Sequence, residues 1–158
     1  METDFTKPTL EQALSLAPLL READRKEVSR AGFTPERAIK DSYERSDEVW
    51  LVNLDGKPAC LMGVGRVSIL GNIGAPWFLT TNVMDCWTAK RALLKYSPQY
   101  ISRFLERYDM LVNYVDADYA KALRWLQWLG FSIGEPQKTM TGAYFCEVRM
   151  ERKELWAS

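Results

Sequence analysis

The sequence predicts an α/β domain with a mixed central sheet and helices on both faces, and three observations carry that prediction. Short segments of alternating or continuous apolar residues are interleaved with segments whose apolar residues recur at helical spacing. Their order is a strand, helices, a run of strands, a helix, a strand, a helix and two closing strands, which few architectures other than a layered α/β fold accommodate. No repeat, low-complexity tract or linker-like stretch interrupts the 158 residues, so residues 1–158 are expected to form one domain.

Phe5 and its neighbours read as a first strand, after which Thr9 caps a helical turn over Leu10–Ala17 that Pro18 ends. Asp24 precedes Glu27 by three residues, a capping-box spacing that opens a second helix toward Arg30 with Gly32 as its stop. Thr34-Pro35-Glu36 gives a third helix a hydroxyl cap, a proline at its first position and an acid at the positive end of the dipole. Glu48–Leu54 and Ala59–Ile69 read as strands joined at Asp55-Gly56. Gly71–Pro76 has the composition of a loop, and Trp77–Thr81 that of the next strand.

Apolar residues from Ala92 to Tyr108 recur at helical spacing, with Pro98 expected to kink or split that helix. Met110–Val115 is short and apolar enough for a central strand. Ala122, Trp125, Leu126 and Leu129 form one stripe of a helix ending at Gly130, with Trp125 expected in the core and Trp128 outside it. Phe131 and Ala143–Met150 supply the closing strands.

Lysine plus arginine and aspartate plus glutamate both number 21, so no long-range field gathers nucleic acid or anionic lipid, and neither is an expected partner. The N-terminus lacks a secretory pattern and no long apolar run exists, so the chain is expected to stay in the cytoplasm where it is made. Cys60, Cys86 and Cys146 have no metal-binding spacing, and histidine is absent. Ser-His-Asp and Cys-His catalysis are therefore excluded, and no metal is expected. Proton transfer falls to a carboxylate, Lys, Tyr, Cys or water.

Asp116–Phe131, DADYAKALRWLQWLGF, resembles the last helix and following strand of the GCN5-related N-acetyltransferase (GNAT) family. The family pattern N-x-x-A-x-x-x-Y-x-x-x-G-F falls on Tyr119, Ala122, Leu126, Gly130 and Phe131, matching at the alanine, glycine and phenylalanine. A second resemblance covers more of the chain. ADRKEV (Ala23–Val28), LGNIGAPWFLTT (Leu70–Thr81) and NYVDADYAKALRWLQWLGF (Asn113–Phe131) are similar in order and content to small tailed-phage proteins of internal-virion or GNAT-like type.

The resemblance implies a GNAT-like domain, acetyl-CoA as cosubstrate, and a host-cytoplasmic or virion setting. It places the pantetheine arm along the strand that ends at Thr80 and Thr81, and the pyrophosphate at the following helix start, Thr88, Ala89, Lys90 and Arg91. There the family has a (Q/R)-x-x-G-x-(G/A) loop; this chain has Asp85 in the basic position and Thr88 in place of the first glycine. Lys90 and Arg91 would then supply by side-chain charge what a glycine loop supplies by backbone N–H groups. The family's acid, a tyrosine, falls on Leu126. Tyr119 or Tyr114 would substitute, with Glu22, Asp24 or Glu27 as the base; Glu27, Asp24 and Tyr119 form the expected catalytic set. The alternative reading is a non-catalytic GNAT-fold protein that binds a host or virion protein through exposed aromatics such as Trp128 and Trp156.

Overall fold

The computed structural model describes residues 1–68 and 70–153. Trp156 and Ile69, the expected end of the third strand, lie outside the described residues. One mixed sheet runs through the molecule in the order β1-β2-β3-β4-β5-β8-β6, with β7 also paired to β8. Its strands are β1 (Thr3–Thr6), β2 (Ser46–Leu54), β3 (Lys57–Arg66), β4 (Ile73–Thr80), β5 (Met110–Asp116), β6 (Ser132–Ile133), β7 (Gln137–Lys138) and β8 (Tyr144–Glu151). The helices are α1 (Leu10–Leu14), α2 (Glu22–Arg30), α3 (Pro35–Arg45), α4 (Trp87–Arg107) and α5 (Ala120–Leu129).

Helices cover both faces of the sheet. Leu16, Leu20, Val28 and Ile39, from the α1–α3 segment, pack on Leu61 and Leu79 at one face. On the other, α4 closes over Cys60, Met62 and Phe78, and α4 and α5 together over Val64, Leu111 and Val148. A buried Glu48 on β2 anchors α4 by accepting from Arg103 and pairing with Arg107 at 3.5 Å, while the Trp50 indole N–H donates to it at 2.7 Å. Those bonds hold the long helix in register against the sheet.

Local chemistry explains most element ends. The Thr34 hydroxyl accepts from the Arg37 N–H at 3.2 Å at the start of α3, and Gly130 closes α5 with φ 109°, a conformation that a side chain disfavours. Asp55 and Gly56, with φ 50° and 77°, turn β2 into β3. Three expectations need correction. Helix α2 begins at Glu22, so Asp24 is its third residue and not its cap. Pro98 does not split helix α4, which runs through it as a single element; the carbonyl that the proline leaves without an N–H partner belongs to exposed Leu94, where water can satisfy it.

The third correction concerns Ile73–Pro76, expected as loop, which is the first half of β4. Gly74, Ala75 and Pro76 pair with Arg66, Gly65 and Val64 of β3, while Ile73 and Gly74 also pair in parallel with Met110 and Leu111 of β5. Tertiary pairing outweighs the turn-like composition. The strands β4 and β5 are thus parallel neighbours that share only those two residue pairs and then diverge toward their C-terminal ends. At the junction a Cβ on Gly74 would stand 2.5 Å from the fully buried ring of Tyr108. Gly74→Ala is expected to cost about 1–3 kcal/mol through that overpacking, measured by urea denaturation; an unchanged midpoint would mean that the ring yields freely.

Candidate active site

The divergence of β4 and β5 leaves peptide groups without a strand partner, and the chain uses them unequally. The Thr81 N–H donates to the Ala59 carbonyl at 2.9 Å, so odd-numbered peptide groups of this segment face β3 and those of Pro76, Phe78 and Thr80 face the gap. Pro76 therefore forfeits no ladder bond through its missing N–H. Its carbonyl accepts from the Asn113 side-chain amide of β5 at 2.6 Å, bridging the strands where they part. At the far end Arg21 N–H donates to the Thr80 carbonyl at 2.9 Å, as the segment before α2 crosses the end of β4. Between these two points the Phe78 peptide faces the gap.

Asp24 is the centre of the closed end. Its carboxylate, 3% exposed as a residue, accepts from the Thr80 N–H at 2.8 Å, from the Thr80 hydroxyl, and from the Tyr119 hydroxyl at 3.0 Å. Arg21 surrounds the same atoms: Nε donates to the Thr80 hydroxyl at 2.6 Å, Nη2 to the Tyr119 hydroxyl at 3.2 Å and Nη1 to Asp85 at 3.3 Å. Asp85 is thus part of this network and carries a cation beside it. Burial and the Asp24 charge push the Tyr119 phenol well above its ordinary range, so it holds its proton and gives that hydrogen to Asp24.

Glu27 lies one turn along α2, half-buried, its Oε2 accepting from the Asp116 N–H at 3.0 Å. Burial raises its pKa to about 7 against the lowering effect of that bond, and the neighbouring Asp24 and Asp116 charges add to the rise. Arg30 pairs with Asp116 at 3.0 Å and Asp118 at 2.7 Å behind it. A carboxyl poised near neutrality beside a cavity can take a proton from a substrate.

That cavity, about 640 Å³, passes between β4 and β5. It is lined by Glu27 and Val28 of α2 on one side, Phe78 and Asn113 at the gap, and Leu93 of α4 with Trp125 and Leu126 of α5 on the other. Helix α5 has no fully buried residue. Trp125, expected in the core, is half-buried against Phe78 with ring centroids 5.1 Å apart. Trp128 is 57% exposed, as expected.

The expected site residues fall into two groups. Asp24, Glu27 and Tyr119 converge at the cavity, and Thr80 joins them through its hydrogen bonds. The Thr81 hydroxyl instead donates to Pro58 O at 2.7 Å and caps the following 3-10 turn. At the start of α4, buried Ala89 and exposed Lys90 both line the cavity, and Thr88 and Arg91 are exposed outside its lining. Tyr114 lies at the surface, its hydroxyl 3.4 Å from Glu147. Cys86 precedes α4, its thiol pKa lowered first by the Thr88 hydroxyl and next by the Ala89 peptide N–H. Arg21 and Asn113 are the residues that sequence reasoning missed. Neither carries a local signal, because each matters through residues at least 37 positions away.

A mixed sheet opened between two parallel central strands, with a helix starting beyond the first, is the fold of the GCN5-related N-acetyltransferases, and the chain has that fold. It superposes on an N-acetyltransferase from Staphylococcus aureus Mu50 with a TM-score of 0.68 at 9% identity, covering 97% of this chain and 100% of that one. An acetyltransferase of the GNAT family from Streptococcus pneumoniae gives 0.64 at 13% identity over 96% and 100%. The aminoglycoside acetyltransferase AAC(6')-Ib in complex with coenzyme A gives 0.67 at 14% over 96% and 95%. Residues 59–135, from β3 through β6, match a family model described as "Bacteriophage T7, probable scaffold protein Gp13". No curated protein sequence matches. Among the described residues no helix is long and apolar enough to cross a membrane.

Removing the Asp24 carboxylate leaves the buried Thr80 N–H without its acceptor, while half-buried Arg21 keeps Asp85 as a partner. Asp24→Ala is expected to cost about 1–3 kcal/mol, as leaving a buried donor without its acceptor does. A loss below about 1 kcal/mol in denaturant titration would show that water replaces the carboxylate and that the closed end is not held by it.

Proposed function

We propose that this chain is a phage-type N-acyltransferase that moves an acyl group from acyl-CoA to a primary amine in the host cytoplasm. The observation that carries the reading is the position of Glu27, with a pKa of about 7, beside Asp24, Tyr119 and Arg21 on a cavity that runs through the β4–β5 gap. The residues present fit an acyl-CoA at its pantetheine arm: the gap offers the Phe78 peptide to an extended amide chain and apolar walls on either side. At the phosphate end the start of α4 has no glycine, and what it offers a phosphate is the charge of Lys90 on the cavity lining.

When bound, an acyl-CoA supplies an activated acyl carbon and a thiolate leaving group. Glu27, ionised above pH 7, takes the proton that the attacking ammonium must lose. Asp24 fixes the end of β4 by binding the Thr80 N–H, and so sets the position of the gap relative to Glu27. Tyr119 and Arg21 orient Asp24, and Tyr119 keeps its proton because burial and the adjacent carboxylate raise its pKa. Helix α2 forms one wall of the cavity through Asp24, Glu27 and Val28.

A second reading, a GNAT-fold phage protein that binds a host or virion protein without catalysis, is favoured by the likeness of residues 59–135 to a phage scaffold-type family and by Leu126 standing where the acetyltransferases have a tyrosine. Calorimetric titration of acetyl-CoA at low salt, followed by thiol-release assay with spermidine and a lysine-containing peptide, separates the two. The acyltransferase reading expects binding, with turnover rising about tenfold per pH unit below 7 and levelling above it, because the base works only when ionised. Glu27→Gln should lower turnover by about 100-fold or more and flatten that profile while leaving acetyl-CoA binding unchanged. Absence of binding at low salt would overturn this reading in favour of the second.

A further inference from the structure

The charged groups that line the cavity differ between its two sides: two carboxyl groups with Arg21 beside them at α2, and cations alone at α4 and α5. Among the described residues its only acidic lining groups, Asp24 and Glu27, belong to α2 on one side of the sheet. On the α4 and α5 side the charged lining groups are Lys90, Lys121 and Arg124, all cations. None of the three forms an ion pair with an acidic side chain among the described residues. Lys121 and Arg124 are three residues apart on α5 and share a face.

Helix stability does not account for this placement. Cations at the first turns of helices oppose the dipole, and helices α1, α2 and α3 follow the rule with Glu11, with Glu22 and Asp24, and with Glu36. Helices α4 and α5 have no acid in the first turn. Lys90 and Lys121 in the first turns of α4 and α5, with Arg124 one turn further along α5, give this side of an apolar cavity a positive potential that favours an anion attached to an extended, mostly uncharged body.

We infer that the phosphates of the acyl donor are held by Lys121 and Arg124 of α5 together with Lys90 of α4, and that Arg91 takes no part. The inference rests on the acyl-CoA reading above and assigns its phosphate site to α5, where a glycine loop before α4 is missing. Arg91 is exposed on α4 outside the cavity lining, which separates it from its neighbour Lys90. Because the three groups are exposed, the contact is screened by salt over roughly 8 Å at physiological ionic strength.

The test is calorimetric titration of acetyl-CoA and of pantetheine, which lacks phosphate, into the wild type, a Lys121→Ala/Arg124→Ala double variant and Arg91→Ala, each at low and moderate salt. All three substituted residues are exposed, and circular dichroism checks that the variants remain folded. The expected result is a loss of about tenfold in acetyl-CoA affinity for the double variant, as two exposed charge contacts supply, with a shallower salt dependence. Pantetheine binding should be unchanged in both variants, and Arg91→Ala should match the wild type. If the wild type binds acetyl-CoA and the double variant binds it equally well, or if Arg91→Ala carries the loss, the α5 assignment is overturned while the acyl-CoA reading stands. If the wild type binds neither compound, the acyl-CoA reading falls and the assignment falls with it.

Discussion

Two strands that meet at Ile73–Gly74 and Met110–Leu111 and then part create the features on which the candidate site depends. Parallel strands normally continue their ladder, and an open gap exposes polar peptide groups that need partners. This chain supplies partners at both limits of the gap. Asn113 takes the Pro76 carbonyl where the strands separate, and Arg21 and Asp24 take the carbonyl and N–H of Thr80 at the end. The opening is therefore bounded by specific bonds, with the Phe78 peptide between them.

The same closure places the chemistry. Asp24 can reach Thr80 only because α2 lies across the end of β4, and that position carries Glu27 one turn along to the mouth of the cavity. Burial there lifts the Glu27 pKa toward neutrality, which a carboxyl at the surface would not experience. Arg21 offsets the charge of Asp24 and of Asp85, two carboxylates that lie 61 positions apart in the sequence and share one cation in space. On the far side of the sheet the cavity is lined in part by α5, a helix with no fully buried residue, and meets lysines and an arginine in place of acids.

Much of the fold was legible because its signals are local. Thr34-Pro35-Glu36, Asp55-Gly56 and Gly130 each state their element end in adjacent residues, and the apolar runs of β2, β3 and β5 need no partner to be recognised. The half of β4 from Ile73 to Pro76 was not legible, since glycine, alanine and proline describe a loop until β3 and β5 are on either side. Asp24 shows the same limit within the site: three residues before Glu27 it reads as a helix cap, while its structural role is set by Thr80, 56 positions away. Asp24, Glu27 and Tyr119 were singled out together through family resemblance, and the Tyr119 hydroxyl is held inside because Arg21 and Asp24 both bind it.

The most direct measurement of the account is residue-resolved amide hydrogen exchange at Phe78 and Thr80, with and without acetyl-CoA. The Thr80 N–H, bound to a buried carboxylate, should be protected in both states, whereas the Phe78 N–H should exchange faster in the free protein and gain protection when acetyl-CoA is present. A Phe78 amide already as protected as Thr80 without ligand, and unchanged by it, would contradict an open strand gap that receives an extended substrate.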